Sequence, residues 1–194
     1  MKKETTLDKA PHTGGIARLV RPMATGEEDA VADVLTTAFD RDPLAQWFFP
    51  DAAIRQAAYR QLFEQATREL APGALVDVTD TLDAAAIWNP PGHVPSWTPP
   101  PNTTPAAATL FAALEASMPP PPFWYLEFLG ARTSGSGGGS ALMRSRLANS
   151  SGPIAFWTAN EANLDFYQRF GCTLAGRADA PGIRAWWLTH RYGV

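Results

Sequence analysis

The residues best suited to chemistry in this 194-residue chain form a run of glycine and serine over positions 134–140. Their side chains add almost no bulk. A loop of this kind before a helix exposes backbone N–H groups and the positive end of the helix dipole, and both bind phosphate or pyrophosphate. The sequence therefore predicts a phosphate-binding loop, to which we assign Ser134, Gly135, Gly137, Gly139 and Ser140.

Three other interpretations of these glycines compete with a phosphate-binding loop. The phosphate loop of P-loop enzymes requires a Lys after its last glycine, and the dinucleotide fingerprint requires a third glycine there; Ser140 stands at that position in both cases. The third alternative is a flexible Gly/Ser linker between two domains. A linker is disfavoured because only about 55 residues follow it, too few for a secure independent core.

The elements around the loop would position it. Residues 125–131 are apolar or aromatic except for Glu127, which is typical of a strand buried on both faces. Residues 140–148 have the apolar spacing of a helix, and residues 153–158 predict a further strand. A strand-helix-strand unit of this length makes the two strands parallel neighbours.

The remaining segments predict a strand over residues 16–20, a first helix that ends at Asp42-Pro43, and a strand hairpin over residues 74–88. Thr104-Pro105 predicts the start of another helix, and residues 172–190 predict a closing hairpin. Asp51 predicts the N-cap of a helix whose buried face consists of residues four apart: Ile54, Ala58, Leu62, Ala66 and Leu70. The proline-rich residues 89–101 are either a solvated spacer or a wall over a substrate pocket, with Trp97 pointing inward.

Two segments resemble motifs of the general-control-type N-acetyltransferase (GNAT) superfamily. Ser134-Gly-Ser-Gly137-Gly-Gly139-Ser-Ala-Leu142 is similar to the family's Gln-Gly-x-Gly-x-Gly-Ser-Ala-Leu. Asn160-Glu-Ala-Asn163-Leu-Asp-Phe-Tyr167-Gln-Arg-Phe-Gly171 is similar to its Asn-x-x-Asn-x-x-x-Tyr-x-x-x-Gly-Phe segment. The two lie in the family's order. The nearest branch is the one that contains puromycin N-acetyltransferase, with thin resemblance over residues 16–192.

The resemblance implies an α/β fold with a mixed, mostly antiparallel central sheet flanked by helices, in which two parallel strands splay apart. We expect residues 15–194 to form a single GNAT-like acyltransferase domain after a disordered leader, residues 1–14. In this family the gap between the splayed strands holds the pantetheine arm of coenzyme A, and the glycine loop holds its pyrophosphate. The implied co-substrate is acetyl-CoA or another acyl-CoA, without a metal.

The same resemblance gives Tyr167 the role of the acid that protonates the leaving thiolate; the alternative is a core aromatic residue. Glu127 is the predicted general base, directly or through a water molecule, because a buried carboxylate is costly and seldom kept without use. Its alternative is a structural ion pair with Arg132 or Arg184. By alternation along the strand, we expect Glu127 to share a face with Tyr125, Leu129 and Ala131. Backbone N–H groups near residues 129–131 would polarise the thioester carbonyl.

The predicted binding residues fall into two sets. Asn163 resembles the family residue that contacts the pantetheine arm. The donor set consists of Leu129, Ala131, Arg132, Ser134, Gly135, Gly137, Gly139, Ser140 and Asn163. The acceptor set is aromatic and consists of Trp88, Trp124, Tyr125 and Trp157.

Departures from the family pattern bear on the donor and on the acceptor. Ser134 stands where the family has Gln or Arg, so Arg132, Arg144 and Arg146 are the predicted sources of positive charge for the phosphates. Trp157 stands where the puromycin branch commonly has Glu, which predicts a different acceptor from that of the branch.

Composition narrows the function classes further. The formal net charge of -3 argues against a nucleic-acid-binding surface as the main function. No segment is long and apolar enough to span a membrane, and the polar start is not a signal peptide, so we expect a cytoplasmic protein without a membrane partner. The lone Cys172 excludes an internal disulfide framework, and His12, His93 and His190 lack metal-ligand spacing.

The function predicted from the sequence is transfer of an acetyl or related acyl group from a coenzyme A thioester to a small-molecule amine. The expected setting is natural-product tailoring or antibiotic self-resistance. One alternative keeps this chemistry but takes the acyl group from an acyl carrier protein. The other is a non-catalytic acyl-thioester-binding module on a degenerate GNAT fold.

Overall fold

The computed structural model describes residues 18–93 and 104–191. The predicted leader, Ile16 and Trp97 lie outside these ranges. The described elements are, in chain order, β1 (Val20–Pro22), α1 (Glu28–Phe39), α2 (Pro43–Phe48), α3 (Ala52–Arg68), β2 (Leu75–Thr79), β3 (Ala84–Asn89), α4 (Pro105–Ala116), β4 (Trp124–Ala131), α5 (Gly138–Asn149), β5 (Ile154–Thr158), α6 (Leu164–Gln168), β6 (Thr173–Ala180) and β7 (Ile183–His190). A short 3-10 turn, Glu161–Asn163, precedes α6.

The strands form one seven-stranded sheet in the order β1-β2-β3-β4-β5-β7-β6. Every neighbouring pair is antiparallel except β4 and β5, which are parallel. The predicted α/β class with a mixed, mostly antiparallel sheet is therefore confirmed. The helix between the parallel strands, α5, packs on β2 and β3, while α1 and α3 pack together with β3 and β4.

The parallel pair separates soon after it begins. Its Cα register contains only Trp124 with Ile154 and Tyr125 with Ala155. The rest of β4 pairs with β3 alone, and β5 continues along β7. The predicted splay is confirmed, and it opens the sheet at the end where the glycine loop enters α5.

Several helix starts follow from their capping residues. The Asp51 carboxylate accepts the N–H groups of Ala53 and Ile54 at 2.9 and 3.0 Å, which begins α3 as predicted. Thr104 likewise caps α4. Asp42-Pro43, in contrast, was interpreted only as a helix stop. It also begins α2, because Asp42 accepts from the N–H of Leu44 and Pro43 occupies the first helical position.

The predicted buried face of α3 is wrong. Ile54 and Leu62 are 59% and 42% exposed. The helix is turned by one position, so its buried residues are Arg55, Tyr59, Phe63 and Thr67. Two aromatic rings bury more apolar surface than the aliphatic residues beside them, and the Arg55 guanidinium is satisfied by the carbonyl oxygens of residues 40, 49 and 50.

A register shift interrupts β4 where it pairs with β3. Ile87 lies opposite Phe128 and Trp88 lies opposite Leu126, so Glu127 has no Cα partner of its own. An extra residue of this kind bends the strand and changes which side chains share a face.

Among the residues described, no helix combines the length and the apolar content that crossing a membrane would require.

Candidate active site

The glycine loop reaches α5 through two residues with left-handed backbone conformations. Gly135 has φ +76° and Gly137, the N-cap, has φ +89°. A Cβ added at either would meet nothing within 4 Å, so this side of the loop is open. Within the described residues, the N–H groups of Gly139 and Ser140 have no acceptor, as expected in the first turn of a helix. The loop can therefore receive a phosphate group.

Close packing holds this loop against the sheet. A Cβ on Gly138 would come within 2.6 Å of the Ala84 Cβ, a distance that real structures do not tolerate. Gly138 thus allows α5 to approach β3. On the opposite side, a Cβ on Gly139 would lie 3.6 Å from the ring of Phe166, which places α6 beside the loop.

One large cavity, of about 1460 Å³, begins at the loop and continues through the gap between β4 and β5. It ends in a chamber beneath α1, α2 and α4. The predicted site residues along it are Tyr125, Glu127, Leu129, Ala131, Ser134, Gly135, Gly137, Gly139, Ser140, Trp157, Asn163 and Tyr167. The loop, the gap and the chamber are therefore continuous.

Tyr167 lies on α6 in this cavity. Its ring packs against Phe156 at 4.4 Å and Phe166 at 5.0 Å between centroids. Burial raises the pKa of the Tyr167 hydroxyl above its ordinary value, and the nearby Cys172 and Asp42 raise it further. The phenol is therefore protonated at neutral pH and can donate a proton or a hydrogen bond into the cavity.

Glu127 faces the cavity from the shifted part of β4. The Asn89 side-chain amide donates to its carboxylate at 2.8 Å. Burial raises the pKa of Glu127, while the hydrogen bond from Asn89 and the charge of His93 partly oppose the rise. In the described part of the chain Glu127 has no arginine partner, since Arg184 pairs with Asp179. The structural ion pair offered as its alternative is not observed.

The register shift corrects the predicted neighbours of Glu127. Tyr125 packs in the cluster on the opposite side of the sheet from Leu126, and Glu127, which follows Leu126, raises the pKa of the Tyr125 hydroxyl. The side chains of Leu129 and Ala131 instead pack in the cluster beneath α5. Simple alternation placed all four on one face, which fails across the extra residue.

Solved structures resemble this chain in their fold, whereas no family model and no curated protein sequence matches it. A Corynebacterium glutamicum structure described as a histone acetyltransferase HPA2 and related acetyltransferase is 21% identical, with a TM-score of 0.69 over 92% of this chain and 98% of its own. A candidate acetyltransferase of the GNAT family from Desulfovibrio desulfuricans is 14% identical, with a TM-score of 0.55 over 91% and 100%. The C-terminal condensation domain of Ebony, solved with β-alanyl-dopamine, is 12% identical, with a TM-score of 0.61 over 90% and 98%. This chain has the GNAT fold. At these identities the likeness concerns the fold.

Two tryptophans predicted for the acceptor set lie on the α5 side of the sheet and not in the chamber. Trp88 has no exposed surface and packs beneath α5 together with Trp124. The Arg146 guanidinium lies 5.3 Å from the Trp88 ring and 5.5 Å from the Trp124 ring. Neither tryptophan lines the cavity, so both are left out of the candidate site, which keeps Tyr125 and Trp157.

The predicted positive charges also divide. Arg146 is buried and pairs with Asp77 at 2.5 Å, so it does not face the loop. Arg132 is exposed and does not line the cavity. The third predicted arginine, Arg144, lies over the ring of Phe170 at 5.7 Å, and Arg169 lies over the ring of Phe166 at 5.8 Å. Arg169 also lines the cavity, and no motif in the sequence marked it as a binding residue.

The chamber at the far end of the GNAT cavity is aromatic. The Phe48 and Phe111 rings stack at 5.9 Å between centroids, and Trp47 meets Phe48 at 5.1 Å. The wall is completed by Phe39, Phe49, Tyr59, Tyr125, Phe128, Phe156 and Trp157. The Trp157 side chain forms a hydrogen bond with the Tyr125 hydroxyl. Three of these rings, those of Phe39, Trp47 and Phe48, come from α1 and α2, which contain no functional motif in the sequence.

Proposed function

We propose that this protein is an N-acyltransferase that moves an acetyl or related acyl group from a coenzyme A thioester to a small-molecule amine. The observation that carries the proposal is the single cavity, with a phosphate-binding loop at one end, an aromatic chamber at the other, and Tyr167 and Glu127 along it. The GNAT fold supports the same reaction class.

The residues of the donor end fit such a thioester. The glycine loop is open, and the N–H groups of Gly139 and Ser140 have no acceptor in the part of the chain that the structure describes, so both suit a pyrophosphate. Beyond the loop, the splayed strands leave an uncovered edge of β4 along which an extended pantetheine arm would lie. Asn163 lines the same stretch of the cavity. The bound donor supplies an activated acyl carbon.

Two side chains of the protein then accept and donate the protons of the reaction. Glu127 accepts the proton that the amine loses as its nitrogen forms the new C–N bond. Tyr167 donates to the sulfur as the C–S bond breaks, so one proton enters the protein and one leaves it. Backbone N–H groups along the open edge of β4 are suited to hold the carbonyl oxygen as its negative charge grows. No covalent intermediate on the protein is needed.

Free coenzyme A is the donor that we favour over an acyl carrier protein. Arg144 and Arg169 lie on the rings next to the loop and provide charge for the phosphates of the nucleotide, which a carrier protein does not present in that form. A groove beside Arg169, outside the main cavity, is lined by Ala162, Asp165, Phe166 and Gln168. The nucleotide part of free coenzyme A could lie in this groove. The non-catalytic alternative is disfavoured by Tyr167 and Glu127 facing one chamber.

The proposal is tested by incubating the protein with acetyl-CoA and a panel of small amines, and following free thiol and amide by mass spectrometry. Amide formation that requires the protein supports the enzyme, and binding of coenzyme A without turnover of any amine supports the non-catalytic module. Acetylpantetheine and an acetylated carrier protein distinguish the donors. We propose natural-product tailoring or self-resistance as the setting, and including puromycin in the panel tests the branch that the sequence resembles.

A further inference from the structure

Asp42 is a carboxylate in the candidate active site that no sequence motif marks. It lies between α1 and α2 and lines the aromatic chamber. Tyr59 and Tyr167 line the same cavity, and the charge of Asp42 raises the pKa of both hydroxyls. Burial raises the pKa of Asp42 itself.

Although the neighbouring Arg41 lines the same cavity, no arginine, lysine or histidine within residues 18–93 and 104–191 forms an ion pair with this carboxylate. Its hydrogen bonds come from backbone N–H groups, those of Leu44 at 2.9 Å and of Ala45. The nearby Arg55 is held by the Asp40 carboxylate and by the carbonyl oxygens of residues 40 and 49. A buried carboxylate without a cationic partner is costly, and a positively charged ligand would relieve that cost.

The surroundings restrict what the ligand can be. Aromatic rings from α1, α3 and the residue after α2 line the same chamber as Asp42, with Phe39 and Tyr59 stacked at 6.2 Å and Phe49 edge-on to Tyr59 at 6.2 Å. These rings favour an apolar or aromatic body and also attract a cation through their faces. A carboxylate on the ligand would be repelled by Asp42 and by Glu127.

We propose that Asp42 binds the ammonium group of the acceptor in the chamber that also contains Tyr167 and accepts the proton that this nitrogen must lose before it attacks, which leaves the second proton for Glu127. We further propose that the acceptor is a primary amine with an aromatic or similarly bulky apolar body. This rests on the proposed acyltransferase function and adds the residue that selects the substrate. Free amino acids are excluded by their carboxylate.

The test is a binding measurement that needs no turnover. Calorimetry with coenzyme A present compares 2-phenylethylamine, which is a cation at neutral pH, with O-benzylhydroxylamine, which has the same shape and is neutral. Asp42→Asn removes the charge and keeps a side-chain oxygen that can cap α2. Asp51→Asn is the matched control, since Asp51 caps α3 through two backbone N–H groups and does not line the cavity.

The expected result is that Asp42→Asn binds 2-phenylethylamine about 10- to 100-fold more weakly, the loss typical of one charged hydrogen bond. Binding of O-benzylhydroxylamine and of coenzyme A should be unchanged, and Asp51→Asn should change none of the three. Asp42→Ser, which also caps a helix, should behave like Asp42→Asn and serves if the latter is unstable.

Equal affinity of the parent and Asp42→Asn for 2-phenylethylamine would overturn the proposal. So would an equal loss of both ligands, or a parent protein that does not prefer the cation. Because coenzyme A rather than acetyl-CoA is used, these outcomes are independent of catalysis. A parent that binds the amine in this way but never acetylates it refutes the proposed function and leaves the assignment of Asp42 standing.

Discussion

Replacing Gly137 by valine should remove donor binding without unfolding the protein. Gly137 is the N-cap of α5 with φ +89°, and a Cβ there would meet nothing within 4 Å. The new side chain would therefore clash with no protein atom near its Cβ. It would instead project into the open space that we assign to the pyrophosphate.

The cost to stability can be separated from the effect on binding. A left-handed backbone at a non-glycine residue costs about 1–2 kcal/mol. Gly26 provides the control, because it has φ +90°, its Cβ would also meet nothing within 4 Å, and it does not line the cavity. Gly26→Val should thus lose the same free energy of unfolding, measured by urea denaturation, and should bind coenzyme A normally.

The effect on donor affinity should be much larger than this strain. A valine at the loop would keep the pyrophosphate away from several N–H groups, each worth about 1.5–3 kcal/mol when its partner is charged. Losing two of them weakens binding at least about 100-fold. Calorimetry with coenzyme A measures the difference between the two variants. Unchanged affinity of Gly137→Val would refute the phosphate-binding interpretation and favour a plain Gly/Ser linker.

Three further substitutions test the chemistry. Tyr167→Phe keeps the ring contacts with its neighbours and should lower the single-turnover rate by about 10²–10⁴, with donor affinity unchanged; a rate within about threefold of the parent would remove Tyr167 from the mechanism. Burial raises the pKa of Glu127, so as pH falls kcat/KM should begin to decrease at a higher pH than for an ordinary glutamate base. Glu127→Gln should lower kcat/KM and abolish this decrease at acidic pH. The same shift means that the charged form costs stability above that pKa, so Glu127→Gln should raise Tm at pH 7. Trp157→Glu should increase kcat/KM for acceptors with a second positive charge relative to neutral-bodied amines, and an unchanged ranking in an amine screen would count against Trp157 as a wall of the chamber.

Much of the fold could be predicted because its signals are local. The glycine loop, the strand before it and the helix after it are contiguous, and their residue types alone favour those conformations. The caps at Asp51 and Thr104 act over two or three residues. The parallel pairing of β4 and β5 follows from the short strand-helix-strand connection and the handedness of such units.

Predictions failed where the outcome depended on residues distant in sequence. The apolar residues of α3 indicated the wrong face, since its rotation is set by the rings of Phe39 and Phe128 against which Tyr59 and Phe63 pack. Trp88 and Trp124 were expected to line the acceptor site as large aromatic residues, but strand pairing places them beneath α5.

The sequence by itself determined the donor end of the site, because a phosphate-binding loop consists of backbone geometry that glycine permits within a few residues. Glu127 and Tyr167 could be predicted from the sequence, but only the tertiary structure decided how the acceptor end is assembled around them. There the extra residue in β4 directs Glu127, the turn between α1 and α2 contributes Asp42, and α6 contributes Tyr167. These three segments are separated by tens of residues, and a chamber formed between them depends on sheet register and helix rotation, which no local pattern specifies.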